Sequence, residues 1–504
     1  MHKAQAIEAK TKPVYLRFTE IHDKLKATNY SKIRMKKSTV SDTKTRLEND
    51  ALGDINVPKE AYYGSFTTRA LANFNISPIK ASTTFRCAIA CVKYAAAQAN
   101  TELGKLDPKL TKPMLQALQE FMDGKFDDAY QIDIFQAGAG TPYNMNINEI
   151  VANRANELLG APKGSYKFVN PNNHVNMAQS TNDVFPTSTR IAICWESIAL
   201  QKEATLFAKS LHAKAKKFAK ILKVGRTHLQ DAVPVTLGQE FESFAIAVEK
   251  DIQELKHATS LLHEIGLGGT ALGTGINTHP QYQKLVTRYL AKLTKLPLKP
   301  TKNLFEMTSN MNTFASVSSA LRNLAITMQR IAQDLKLLNM GPIGGIGEIQ
   351  LPEVEPGSSI MPGKVNPSVA ECVQMIAYQV QGNDRAVELA VMNGQLELNV
   401  MTPLILKNLQ ESCTLLKNGF QLFREFCIER IVANTKRCQE LLEKSLCVAT
   451  ALNPYLGYHQ TAELVNEALK RGTHLEALIL EKKLMPKDKL EKILDPKNLT
   501  KPNL

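Results

Sequence analysis

Apolar residues recur at three- and four-residue steps over long stretches of this chain. In residues 237–263, Phe241, Phe244, Ala245, Val248, Ile252, Leu255 and Leu262 share one side, and Glu242, Glu249, Lys250 and Glu254 fall between them. Residues 313–339 repeat the arrangement through Leu321, Leu324, Ala325, Met328, Ile331, Leu335 and Leu338. Similar stretches occupy 188–219, 368–392 and 403–427. The spacing predicts five long helices, with the two clearest extending roughly 40 Å each at about 1.5 Å per residue. Such helices pack as a bundle at small crossing angles. They are longer than one compact domain needs, which points to packing between subunits.

Elsewhere the pattern is less regular. Before Thr181 it is mixed, with short helices and loops marked by Gly64, Pro78, Pro108 and Gly124. From about Val432 the segments shorten, and "DPKNLTKPNL" reads as a fraying tail. The expected organisation is an all-α chain: a basic extension over 1–47, an N-terminal domain over 48–181, a central bundle over 182–436 and a small domain over 437–504.

Composition narrows the class. The 504 residues are 44% hydrophobic, ample for a large core, and only 6% aromatic, which favours helices over sheets. No apolar run is long enough to span a bilayer, and no short apolar segment marks a secretory signal. Glu8, Glu20 and Asp23 interrupt any mitochondrial presequence, so a cytoplasmic location is the expectation. Eight cysteines without a CxxC pair describe neither a disulfide nor a zinc framework. Cys87 and Cys91 read as core thiols on one helix face.

The net charge of +14 invites a nucleic-acid reading, but its distribution argues against one. Residues 1–47 hold twelve Lys/Arg against four acids, so more than half the excess sits in the extension. The mildly positive body suits small anionic substrates.

Four stretches differ from their helical surroundings: "FQAGAGTPYNMNINE" (135–149), "HVNMAQSTNDVFPT" (174–187), "GRTHLQDAVPVTLGQE" (225–240) and "GSSIMPGKVNP" (357–367). Each sets Ser, Thr, Asn or His beside Gly or Pro at a helix edge. Backbone N–H groups at a helix N-terminus, joined by hydroxyl donors, can hold a carboxylate. Taken singly, "QSTND" reads as a helix N-cap and His228 or Lys364 as ordinary structural or surface residues. Their joint occurrence is the signal. Two glycine-rich motifs carry less weight. "GLGGTA" (266–271) follows a helix rather than a strand, and "GGTALGTG" has Thr274 where a phosphate loop needs lysine.

"GSSIMPGKVNP" resembles the signature loop of the aspartase/fumarase superfamily, and the other three stretches resemble that family's remaining site regions in the expected order. The resemblance runs from about Leu52 to the C-terminus. It implies elimination next to a carboxylate to give fumarate, without cofactor or metal. The doubly charged aci-carboxylate formed on loss of the Cβ proton needs preorganised donors. By resemblance these are Thr141, Ser180, Thr181, Lys364 and Asn366, with Ser358 as the base. Thr227 and His228 resemble the pair that binds the other carboxylate, Glu371 the partner of that histidine, and Arg69 and Asn182 neighbours of the site. Gly357 and Gly363 are expected to let the loop swing closed. The family also implies a homotetramer with a twenty-helix core and sites shared by three subunits.

"EAYYG", "QAGAGT", "QSTND" and "GQLELNVM" (394–401) look like the aspartate ammonia-lyase branch, whereas "GINTHP" (275–280) and "GIGEI" (345–349) lean towards class II fumarase. A third alternative is a retired enzyme kept as a structural protein. Three departures from the family pattern bear on substrate and activity: Pro142 and Tyr143 after Thr141, and Ile343 in place of an arginine.

Overall fold

The computed structural model describes residues 44–502. The chain opens with an antiparallel hairpin, β1 (Thr45–Asp50) and β2 (Gly53–Pro58). It begins inside the stretch assigned above to the basic extension, and Arg46 is the reason. The guanidinium of Arg46 bonds Glu48 at 2.8 Å and donates to the carbonyls of Pro58, Lys59, Ala61 and Tyr63. Arg46 therefore belongs to the body, and the rest of the extension, 1–43, lies outside the described residues.

Four helices follow: α1 (Ser65–Asn73), α2 (Thr83–Glu102), α3 (Pro108–Met122) and α4 (Thr141–Leu158). α2 is rich in alanine and largely buried, since small side chains let neighbouring helices approach closely. Cys91 lies buried on it with Cys87 one turn earlier, and both thiols face Met122, as expected of core thiols.

The five long helices are present. They are α5 (Thr181–Phe218), α6 (Leu237–Ser260), then, after shorter α7 (Tyr282–Thr294) and α8 (Leu304–Ser309), α9 (Asn312–Asn339), α10 (Ser368–Val391) and α11 (Thr402–Phe426). α5 packs on α6, α6 on α9, α9 on α10, α10 on α11 and α11 back on α5, so the bundle closes on itself. The start of α5 differs from the expected 188. Ser180 and Asp183 form a capping box that fixes the helix at Thr181, and Pro186 is accommodated inside it, buried.

Strands are few and paired only in twos. Between α5 and α6 lies the hairpin β3 (Leu222–Thr227) and β4 (Gln230–Thr236). Ile349–Gln350 pairs with Val432–Ala433 just ahead of α12 (Thr435–Lys444). The apolar core is continuous from α1 through the bundle, and a separate cluster joins Leu452, Leu464, Leu478 and Leu490 near the C-terminus. Among the described residues no helix is long and apolar enough to cross a membrane.

Candidate active site

Two helix N-termini adjoin at one end of the fold. The first is prepared by the turn Gly138–Gly140, in which Ala139 and Gly140 take positive φ of 63° and 82°. Gly140 is required there on two counts, because a Cβ would overlap the buried ring of Phe185. Thr141 then opens α4. Pro142 occupies the first turn, where a backbone N–H has no intrahelical partner in any case. Tyr143 points into the core, stacked on Tyr130 at 5.3 Å with its hydroxyl donating to the Ile132 carbonyl at 3.0 Å. Both departures from the family pattern are accommodated, Pro142 by the helix start and Tyr143 by the core.

The second N-terminus is that of α5. Ser180 Oγ accepts the Asn182 N–H at 3.3 Å, and Asp183 accepts the Ser180 N–H at 2.9 Å. Asn144, one turn into α4, donates to Thr181 Oγ1 at 3.1 Å and so joins the two helix ends. Both hydroxyl oxygens are thus approached by donors from within the protein. Each hydroxyl keeps its own proton to donate, at the positive end of a helix. An anion placed before α5 meets hydroxyl donors at the positive end of the helix.

Asp183 has a further duty that the sequence did not reveal. Its second oxygen accepts the N–H groups of Gly268 at 3.0 Å and Thr270 at 2.9 Å, and Asn182 donates to the Ala271 carbonyl at 2.6 Å. "GLGGTA" is therefore a backbone clasp on the cap of α5. Burial pushes the Asp183 carboxyl up to about 6, against the backbone N–H groups of Ser180, Thr270 and Gly268 and the charge of Lys93.

Behind this cap lies a buried amide cluster, also unforeseen. Asn176 Oδ1 accepts from Lys93 Nζ at 2.9 Å and from Asn144 and Asn148 at 3.2 Å. Burial draws the Lys93 ammonium down to about 7. The alternating asparagines of "NMNINE" were the available signal, since asparagines repeated inside a helix need buried partners.

The other expected residues lie elsewhere in the chain. Thr227 ends β3, and His228 and Leu229 form the hairpin turn at positive φ of 54° and 60°, both exposed. Among the described residues His228 has no hydrogen-bonded side-chain partner within the chain, and Glu371, in the first turn of α10, does not reach it. The expected Glu371–His228 bond is thus absent inside one chain. Arg69 is engaged within the chain. Its guanidinium is bound to Asp50 at 2.8 and 3.0 Å and to the Gly53 carbonyl at 2.8 Å, which commits it to the β1–β2 turn.

The signature loop is mostly exposed between Glu353 and Val365. Ser358 Oγ accepts the backbone N–H of Met361 at 3.0 Å and of Ile360 at 3.3 Å. Asn366 donates to the Gly357 carbonyl and closes the loop's base. Lys364 is exposed, and its backbone follows Gly363 at φ 79°. Glycine is also required at 357 by close approach, because a Cβ there would overlap the Lys364 carbonyl. Ile343 is 96% exposed, 15 residues before Ser358. No hydrogen bond or ion pair joins the hairpin or the signature loop to Thr141, Ser180 or Thr181 among the described residues.

The lyase family profile matches residues 53–382, and that of the fumarase C C-terminus matches 448–501. The chain belongs to the aspartase/fumarase superfamily of lyases. An aspartate ammonia-lyase of Pseudomonas aeruginosa is 46% identical over 463 residues, covering 91% of this chain and 98% of its own. A class II fumarate hydratase of Bradyrhizobium diazoefficiens is 42% identical over 459 residues, covering 91% and 97%. The crystal structure of a fumarate lyase:delta crystallin from Brucella melitensis bound to cobalt superposes with a TM-score of 0.88 at 42% identity, covering 91% of this chain and 100% of that one.

For a superfamily member the arrangement has a chemical reading. One chain supplies a paired helix-end donor set, a hairpin bearing an imidazole and a loop bearing a serine. Among the described residues no group of three His, Cys, Asp or Glu is arranged to hold a metal ion.

Proposed function

We propose that this lyase is an aspartate ammonia-lyase that deaminates L-aspartate reversibly to fumarate and ammonia. The observation that carries the mechanism is the pair of backbone N–H groups on Ser358 Oγ. A free serine hydroxyl is far too weakly acidic to lose its proton near neutral pH. Its alkoxide becomes usable as a base only when donors already aimed at the oxygen, and nearby positive charge such as Lys364, favour the anion.

The alkoxide takes the Cβ proton, and the electron pair moves into the adjacent carboxylate as the aci form. Thr141, Ser180, Thr181, Lys364 and Asn366 surround that doubly charged group with donors. The pair then returns to form the Cα–Cβ double bond while the Cα–N bond breaks. The α-ammonium leaves as neutral ammonia and needs no further acid. Thr227 and His228 hold the other carboxylate, and Glu371 of a neighbouring subunit keeps the imidazole charged.

Because one chain does not assemble these groups, the reading includes a homotetramer whose sites draw on three subunits. Ile198, Met375 and Tyr378 on the bundle helices are 54%, 64% and 56% exposed in the single chain, apolar surface that a partner would cover. The three-domain division and a cytoplasmic location belong to the same reading.

The alternative is a class II fumarate hydratase, towards which "GIGEI" and "GINTHP" lean. "GIGEI" holds the buried Glu348, and "GINTHP" forms a turn with Gly275 and Asn277 at positive φ. Both stretches have structural duties. Ser358→Ala tests the proposal: turnover of L-aspartate should fall by several orders of magnitude with the tetramer intact. A variant retaining a large part of wild-type kcat would remove Ser358 from the role of base.

A further inference from the structure

Two cations and two carboxylates meet at the foot of the β3–β4 hairpin, with Lys223 and Glu348 buried and Arg226 and Glu240 partly so. Glu348 is fully buried and holds Arg226 through two bonds of 3.0 Å, one to each carboxylate oxygen. Lys223, 1% exposed, lies 3.1 Å from Glu348 and 2.7 Å from Glu240. Buried ion pairs seldom add net stability compared with apolar packing, so the question is what this one holds in place.

Arg226 stands two residues before His228. The turn at His228 and Leu229 puts two non-glycine residues at positive φ, a conformation that costs roughly 1–2 kcal/mol per residue. Such a turn needs an outside restraint, and the bidentate Arg226–Glu348 contact supplies one. Glu348 is itself fixed from the opposite direction. Its N–H donates to the Leu338 carbonyl at 2.9 Å near the end of α9, and its carbonyl accepts the Asn434 N–H at 2.9 Å. The next residues pair with Val432–Ala433, and the Leu351 N–H bonds Asn339 at 2.9 Å. Beyond Leu351 the chain becomes exposed and leads directly into the loop of Ser358 and Lys364. Glu348 is the last buried charge before that loop.

We propose that Glu348 is a positioning residue: one buried carboxylate sets both the His228 turn and the root of the Ser358 loop. If the shared-site reading under Proposed function holds, His228 and Ser358 of one chain serve different sites, and the anchor ties two sites together. The anchor itself does not rest on that reading.

The test uses the full-length protein with Glu348→Gln and with the paired Arg226→Met/Glu348→Met, which removes both charges. Hydrogen–deuterium exchange should quicken in two separate segments, the turn around 227–230 and the loop root around 352–357, while the bundle helices keep their protection. In turnover, kcat/KM should fall on the order of a hundredfold, as when a substrate-holding group is misplaced by about 1 Å. The paired variant should regain thermal stability relative to Glu348→Gln without regaining kcat/KM. Unchanged exchange in either segment, or a paired variant with wild-type kcat and KM, would overturn the proposal. So would loss of the folded protein in both variants, since a positioning contact is separable from folding. A wild type that turns over neither L-aspartate nor L-malate would count against the proposed function alone, and the exchange measurement would still judge the anchor.

Discussion

Gly140→Ala should damage the site through geometry alone, without touching a polar group. Gly140 sits at φ 82°, where an L side chain costs about 1–2 kcal/mol. The new methyl would overlap the Phe185 ring, which is fully buried, lies 4.9 Å from the Phe85 centroid and stacks on Tyr143. A ring so enclosed has little room to yield, and overpacking of this kind adds roughly 1–3 kcal/mol. The sum is about 2–5 kcal/mol, and the cheapest relief is a shift of the turn that carries Thr141. A displacement approaching 1 Å should lower kcat/KM for L-aspartate on the order of a hundredfold. Steady-state kinetics beside thermal unfolding would measure both parts. A variant with the wild-type unfolding midpoint and wild-type kcat/KM would refute the claim that this turn sets Thr141.

Three other predictions follow. Asp183→Asn replaces an acceptor oxygen by a donor where three backbone N–H groups converge. It should cost about 2–3 kcal/mol for at least one lost charged bond and raise KM by displacing Ser180, as judged by unfolding and kinetics. His212 bonds Glu242 at 2.8 Å and Glu249 at 3.0 Å, so its pKa is raised above the ordinary 6.5 by those carboxylates. Its contribution to stability is therefore complete below that value and is lost as pH rises through the raised one. The unfolding-midpoint gap between wild type and His212→Gln should be widest in mild acid and vanish in alkali. Finally, Ser358→Ala and His228→Ala subunits, each inactive alone, should regain activity when refolded together. No recovery in proven mixed tetramers would contradict sites built from several chains.

The bundle was legible because its signal is local and repeated. Leu321, Leu324, Met328, Ile331 and Leu335 are all buried where their spacing predicts, and the bounds of α6, α9, α10 and α11 differ by only a few residues. The cap of α5 was legible in "QSTND" and is formed by Ser180 and Asp183, although the apolar periodicity that marks the helix begins only near 188. The site was legible as a set of stretches through family resemblance, but its supporting contacts were not. Asp183 clasping Gly268 and Thr270, and Glu348 holding Arg226, join residues 85 to 122 positions apart in sequence. No local pattern reports which buried charge will meet which amide. Arg69 likewise has a partner, Asp50, that the motif around it does not include.

The central claim is elimination of ammonia from L-aspartate, and the most direct measurement is product stoichiometry with purified full-length protein. Fumarate and ammonia should appear in equal amounts from L-aspartate, with L-malate neither consumed nor formed, and Ser358→Ala should abolish both products. Interconversion of L-malate and fumarate without release of ammonia from L-aspartate would contradict the account and assign the site to hydration.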